Sequence, residues 1–397
     1  MALARSITRW TLVLAVIVAA GIAALWTASR PAQPDAFYDP PAQRPGDPGA
    51  LLRSEPYTKQ LPAGAQGWRI LYTTKRGDSP TVASAIVVTS ARTTNTPRPV
   101  IAWAHGTTGI APGCAPSLTA PFANTPAVDS IIAENWVYVA SDYAGLGTPG
   151  GHAYLVGEDA ARQVLDAIRA AQRLEGLSLD NRVVVWGHSQ GGNSALWTGI
   201  RADDYAPDVK IVGVGALAPA SDLPALFKSG QGTMFGKIVS SYLIHAYAAA
   251  YPDVAISAYV QARTRPFVGD IASRCVVGWP TLFSVAETGL LLPSAGIFAR
   301  DPASGPLGER LRWNSPATAI AAPVLIAQGA ADDLVLLHLQ SRYVAARCAA
   351  GQPIDYRIYT GRDHVSLVTN HKALDADLIA WTRDRFAELP DTPNCKR

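Results

Sequence analysis

The sequence predicts an α/β fold: a mostly parallel sheet with helices on both faces and a helical cap inserted between two strands. Three observations predict it. Short β-branched runs at residues 100–104, 137–141, 183–186, 211–217, 324–328 and 354–359 are almost continuously apolar, as strands covered on both faces must be. Helix-period stretches alternate with them, clearest at 158–174, where Ala161, Val164, Ile168 and Ala171 share one face. Between Leu217 and Val324 the alternation stops for roughly a hundred mostly helical residues, too many for a loop.

Taken in order, the chain opens on an export segment over 1–29. Arg5 and Arg9 precede an uncharged apolar stretch, 10–29, and Arg30 closes it, a positive n-region before a hydrophobic h-region. At ~1.5 Å per residue the stretch spans about 30 Å. It is read either as a signal peptide cleaved near Thr27-Ala28-Ser29 or as an uncleaved signal anchor in the membrane. Both place the body outside the cytoplasm, secreted or on the outer side of the plasma membrane, because the arginines stay inside. Residues 30–56 are proline-rich and read as an extended strap. Two alternating runs, 68–74 and 82–89, flank Lys75-Arg76-Gly77-Asp78 and predict an antiparallel hairpin. The core then divides into 57–217 and 319–397, with the cap over 218–318. The cap carries Phe227, Phe235, Tyr242, Tyr247, Tyr251, Tyr259, Phe267, Trp279 and Phe283.

Composition narrows the function. Of 397 residues 48% are hydrophobic and 16% charged, which excludes a disordered chain. A net charge of +3 with no basic stripe or zinc-finger signature argues against a nucleic-acid partner. Cys114, Cys275, Cys348 and Cys395 form an even set in an exported chain, which suggests two disulfides with three connectivities open. No C-x-x-C pair or ligand cluster points to a metal or organic cofactor.

The chemistry centres on Gly187-His188-Ser189-Gln190-Gly191, directly after the strand at 183–186 and before a helical stretch at 193–200. A G-x-S-x-G so placed is a nucleophile elbow, whose tight turn leaves the Ser189 hydroxyl exposed at the carboxyl edge of the sheet. Ser189 needs a base. His188 lies in the elbow with its side chain expected to point away from the nucleophile, and His105, His152, His245 and His338 lie elsewhere. His364, in the loop after the last strand, hangs at the right edge, with His371 in reserve. The acid should follow the strand at 324–328, where Asp332 is preferred to Asp333. The oxyanion needs two amides: Gln190, after the nucleophile, and Thr107, in the loop His105-Gly106-Thr107-Thr108-Gly109.

With these residues in place, the chain resembles the secretory lipase family of the α/β-hydrolase superfamily, fungal lipase-A-like enzymes and their actinobacterial relatives. The resemblance runs from about Phe37 to the C-terminus. Its carriers are Phe37-Tyr38 with Pro40-Pro41, Gly49 to Arg53, Cys114-Ala115-Pro116-Ser117, Asp142-Tyr143-Ala144-Gly145-Leu146-Gly147, His152-Ala153-Tyr154-Leu155-Val156-Gly157, the elbow, and Gly329 to Val335. The resemblance implies an α/β-hydrolase core, a cap between the sixth and seventh core strands, and an Asp acid. It also implies disulfides pairing Cys114 with Cys275 and Cys348 with Cys395. One segment departs: the fungal members carry an acidic oxyanion loop, so Thr107 rests on the general fold. The expected function is an exported serine ester hydrolase acting on lipid-like or small esters. Its rivals are a short-chain esterase, an acyltransferase or a peptidase on the same triad, and a non-catalytic binding protein.

Overall fold

The computed structural model describes residues 2–43, 46–278 and 280–395, without the side chains of 2–9, 11, 18, 19 and 22. Its framework is a nine-stranded sheet. The strands are β1 (Leu51–Pro56), β2 (Ala65–Arg76), β3 (Ser79–Ser90), β4 (Arg98–Ala104), β5 (Val137–Ser141), β6 (Leu179–His188), β7 (Lys210–Leu217), β8 (Val324–Gly329) and β9 (Asp355–Tyr359). Their order is β1-β2-β3-β5-β4-β6-β7-β8-β9. The first three and the β3–β5 pair are antiparallel. Every pair from β5 to β9 is parallel. This is the mainly parallel sheet expected, with an antiparallel edge.

Helices α1 (Ala2–Ala28), α2 (Val128–Ala133), α3 (Gly157–Ala171) and α4 (Gln190–Tyr205) precede or connect the strands up to β7. Between β7 and β8 come α5 (Leu223–Ser229), α6 (Met234–Ala250), α7 (Ile256–Tyr259), α8 (Arg265–Ala272), α9 (Thr281–Leu290) and α10 (Gly305–Trp313). The chain closes with α11 (Leu337–Ala349) and α12 (Lys372–Phe386).

Alternation along one central strand shows how the sheet is covered on both sides. Val100, Ala102 and Ala104 of β4 pack with Val164, Leu165 and Ile168 of α3 and Ala195 and Leu196 of α4. Ile101 and Trp103 turn to the other face, with Ile131 of α2 and Leu374, Leu378 and Trp381 of α12. Both faces are therefore dry, which is why these strands read as unbroken apolar runs. The helices between β7 and β8 have a separate core built on Phe227, Tyr242, Tyr247, Tyr259 and Leu307.

Two segments take a more definite form than the sequence showed. The end of the strap joins the sheet: Leu51–Pro56 forms edge strand β1 on β2, with a register shift between Leu51 and Arg53. That irregularity breaks the period-two pattern that would have betrayed a strand. Ahead of it, Phe37 and Tyr38 bury against Leu71 and Val82. The export segment is helical as α1, and Trp26 Nε1 donates to Asp270 of α8 at 3.1 Å. The side chains of Arg5 and Arg9 lie outside the described residues. Among the described residues no helix is long and apolar enough to cross a membrane.

Candidate active site

The turn from β6 into α4 is built from steric necessity. A Cβ on Gly187 would lie 2.0 Å from the Gly191 carbonyl oxygen, and one on Gly191 would lie 1.9 Å from that of Ala104. No side chain fits at either position, so the glycines let strand, turn and helix close on one another. Between them Ser189 sits at φ 59° and ψ −119°, a conformation L-residues rarely adopt and active sites tolerate. Its amide donates to Leu217 O at 2.9 Å, and its carbonyl accepts from the amides of Asn193 and Ala220.

Two further loops meet this turn at the same sheet edge. Ala330 N donates to Tyr359 O and Ala331 N to Arg362 O, both at 2.9 Å, so the loops after β8 and β9 are stitched together. His364 and Asp332 are thereby placed side by side. His364 Nδ1 donates to Asp332 Oδ2 at 2.8 Å, and His364 Nε2 accepts from Ser189 Oγ at 2.9 Å. The Asp332 side chain is fully buried. Its Oδ1 accepts from the amides of Leu334 and Val335 at 2.9 and 2.8 Å, and Oδ2 also accepts from Gln328 Nε2 at 3.0 Å. Four donors thus converge on one carboxylate. Asp333, by contrast, is exposed.

The remaining histidines are held elsewhere. His371 is buried at the start of α12 with Nδ1 donating to Leu367 O at 3.1 Å. His105 is buried behind the elbow between the carbonyls of Gly106 and Asp142, and burial pushes its pKa down to about 4. His188 does turn away from the cavity, but it lands on the His364 loop: Nε2 donates to His364 O at 2.9 Å. Burial holds it neutral, far below the ordinary imidazole range. His152 contacts the Gln190 side chain, and Tyr154 contacts Thr107. Spacing along the chain could not show these contacts, because each joins segments far apart in sequence.

The loop after β4 runs against the elbow. A Cβ on Gly106 would approach His188 O to 3.2 Å and Ser189 Cβ to 3.7 Å. Neither the Gln190 nor the Thr107 amide has an acceptor among the described residues, and both residues border a cavity of about 510 Å³, its mouth included. Leu155, Leu226, Phe227, Phe235, Val239 and Val335 give that cavity apolar walls, with Ser189 and His364 at its base. Of the cap aromatics, Phe227 and Phe235 therefore reach the cavity. Tyr242, Tyr247 and Tyr259 instead form the helical layer's own core, with Tyr251 and Phe267 packed on it; Trp279 lies outside the described residues. Cys114 is joined to Cys275 and Cys348 to Cys395. Among the described residues no cluster of His, Cys, Asp or Glu could hold a metal ion.

Comparison with known proteins decides the family. The sequence model of the secretory lipases matches residues 122–394. The chain belongs to the secretory lipase family. It is 26% identical to a Mycobacterium tuberculosis protein described as a probable inactive lipase, over 90% of this chain and 83% of that one. A secreted triacylglycerol lipase of Malassezia globosa is 25% identical, over 92% and 83% of the two chains. Among solved structures, Candida antarctica lipase A in its closed state superposes with a TM-score of 0.74 at 20% identity, over 90% of this chain and 87% of that one. The fold is thus that of the α/β hydrolases. Membership makes the chain a lipase-type hydrolase, and the family's secretory character agrees with an extracellular location.

Proposed function

We propose that the chain is an exported serine carboxylic-ester hydrolase, with Ser189 as nucleophile, His364 as base and Asp332 as acid, acting on esters with apolar acyl chains. The observation that carries the reading is the unbroken hydrogen-bond relay from Asp332 through His364 to Ser189, opening onto an apolar cavity. Asp332 holds the proton of His364 on Nδ1, so Nε2 is free to take the Ser189 proton. Oγ then attacks the ester carbonyl, and the Gln190 and Thr107 amides hold the oxyanion. His364 returns the proton to the leaving alcohol, and a water repeats the sequence on the acyl-enzyme.

The apolar walls supply acyl binding, at about 0.8 kcal/mol per buried CH₂. The description of inactivity belongs to the mycobacterial relative. In this chain nucleophile, base and acid stand in hydrogen-bond contact, as turnover requires. The leader is read as a cleaved signal peptide or an uncleaved anchor, and either one puts the body outside the cytoplasm.

A fluorophosphonate probe should label Ser189, and turnover of p-nitrophenyl esters of graded length should exceed that of a matched anilide. Comparing soluble with emulsified esters then separates a lipase from a short-chain esterase. A purified, folded chain that is neither labelled nor active on any ester would overturn the reading.

A further inference from the structure

The His152-Ala153-Tyr154 segment takes no part in the relay, yet it contacts both Thr107 and Gln190. The Tyr154 hydroxyl lies 2.8 Å from Thr107 Oγ1, and Gln190 Nε2 lies 2.9 Å from His152 Nε2. One short stretch therefore touches the side chains of both residues whose amides are proposed to hold the oxyanion.

The protons on these contacts can be assigned. His152 is 6% exposed and stacks on Tyr143 with ring centroids 5.5 Å apart. Burial pushes its pKa down to about 3, so it is neutral, and its Nε2 accepts from the Gln190 amide. The Gln190 side chain is thus tied back from the cavity. Tyr154 is 2% exposed, and Thr107 Oγ1 is the only hydrogen-bond partner of its hydroxyl among the described residues. A buried phenol proton without an acceptor is costly, so Tyr154 donates and Thr107 Oγ1 accepts. That leaves the Thr107 proton unassigned, on a residue that lines the cavity together with Ser189.

We propose that the Thr107 hydroxyl is a third oxyanion donor, beyond the two amides, and that Tyr154 is the positioning residue that turns its proton toward the reacting oxygen. His152 holds Gln190 on the opposite side, so the segment brackets the oxyanion site. The proposal rests on Ser189 being the nucleophile. A hydroxyl fixed by a buried phenol needs no reorientation as charge develops, which is the condition under which such a donor lowers the barrier. The contact strengthens as the carbonyl becomes an oxyanion, so its loss falls on kcat rather than KM.

The test compares Thr107→Val, Thr107→Ser, Tyr154→Phe and the Thr107→Val, Tyr154→Phe double variant on one soluble p-nitrophenyl ester. Val keeps the shape and the backbone amide, so kcat should fall about 30- to 100-fold with KM within about twofold. Ser restores the hydroxyl and should stay within about fivefold of wild type. Tyr154→Phe should fall between them. The double variant, which leaves no unpaired phenol, should be no slower than Thr107→Val, because Tyr154 acts through Thr107. Binding of a trifluoromethyl ketone should weaken in parallel with kcat/KM. An undiminished kcat in folded Thr107→Val, or losses that multiply in the double variant, would overturn the proposal. Ser189→Ala separates the two layers: turnover surviving there sinks the underlying reading, whereas a dead Ser189→Ala beside an unimpaired Thr107→Val sinks only the third donor.

Discussion

His188 Nε2 donates to the backbone carbonyl of His364 at 2.9 Å, and the two rings lie 4.6 Å apart. The residue beside Ser189 thus grips the loop that carries His364. Ser189 and His364 are on different elements, and this strut sets their separation independently of the loop's own stiffness. His188→Phe should keep the ring volume but lose the donor, letting the base drift. Misplacement of a reacting group by about 1 Å can cost 10²-fold, so kcat should fall about 10-fold or more with KM little changed. His188→Gln, which can still donate, should recover most of the loss. Steady-state kinetics of both variants, with thermal melts to confirm folding, check the expectation; equal behaviour of Phe and Gln would remove the strut.

Asp332 and Asp333 are neighbours with opposite surroundings. Asp332 is buried among four donors, including His364 Nδ1, whereas Asp333 is exposed. Asp332→Asn would turn an amide N–H toward groups that themselves donate, forcing the amide or the imidazole into the wrong orientation. A kcat loss on the order of 10⁴-fold is expected. Asp333→Asn should stay within about twofold. Measuring kcat for the two variants on the same ester decides between them, and the reverse ranking would put the acid at Asp333.

The elbow was legible in the sequence because sterics leave no freedom there: Gly187 and Gly191 each face a carbonyl at a distance no Cβ can occupy. His364 and Asp332 could be placed because a parallel sheet delivers the loops after β8 and β9 to one edge, whatever their sequence. Edge strand β1 escaped because its bulge erases the alternation. The contacts of His152, Tyr154 and His188 escaped for a different reason. Each is a tertiary pairing between a short motif and a distant loop, and a motif does not encode the direction of its side chains.

Asp142 gives a pH-dependent prediction. It is 1% exposed and accepts from Ser117 N at 2.9 Å and from the Ser84 and Ser117 hydroxyls at 2.6 Å each. Burial outweighs these bonds and pushes its carboxyl up to about 6, from 3.8. The folded state therefore binds this proton more tightly than the unfolded chain. The associated stability is complete below the unfolded value and is lost as pH rises through the folded one. The loss should amount to about 2 kcal/mol between about pH 4.5 and about pH 7.5. Asp166, also pushed up to about 6 by burial, acts in the same window. Asp142→Asn keeps the shape and removes one titration. Urea midpoints at the two pH values should show the variant losing less stability than wild type on going to the higher one. Parallel changes in the two proteins would show that Asp142 titrates alike in both states.

The C-terminal tail bears on the base as well as on stability. Cys395 is bridged to Cys348 of α11, and the preceding Asn394 clasps edge strand β9. Asn394 Oδ1 accepts from Tyr356 N at 2.9 Å, and Nδ2 donates to Tyr356 O at 2.8 Å. The amides of Asn394 and Cys395 both donate to Ile354 O at 3.2 Å. β9 has a sheet partner on one side only, so the tail takes the place of a further strand, and β9 leads into the loop of His364. The bridge spans a sequence separation of 47, and closing such a loop stabilises by about 4 kcal/mol in the chain-entropy account. Without it the tail should fray and release the outer side of β9, while the elbow stays held between β4 and β7 in the middle of the sheet. A Cys348→Ser, Cys395→Ser double variant should therefore lose ester hydrolysis at a lower temperature than it loses ellipticity, whereas the wild type loses both together. Activity after stepwise heating, set beside the circular-dichroism melt of the same samples, makes the comparison. Coincident transitions in the double variant would mean that the His364 loop is held by its stitching to the β8 loop and draws nothing from the tail.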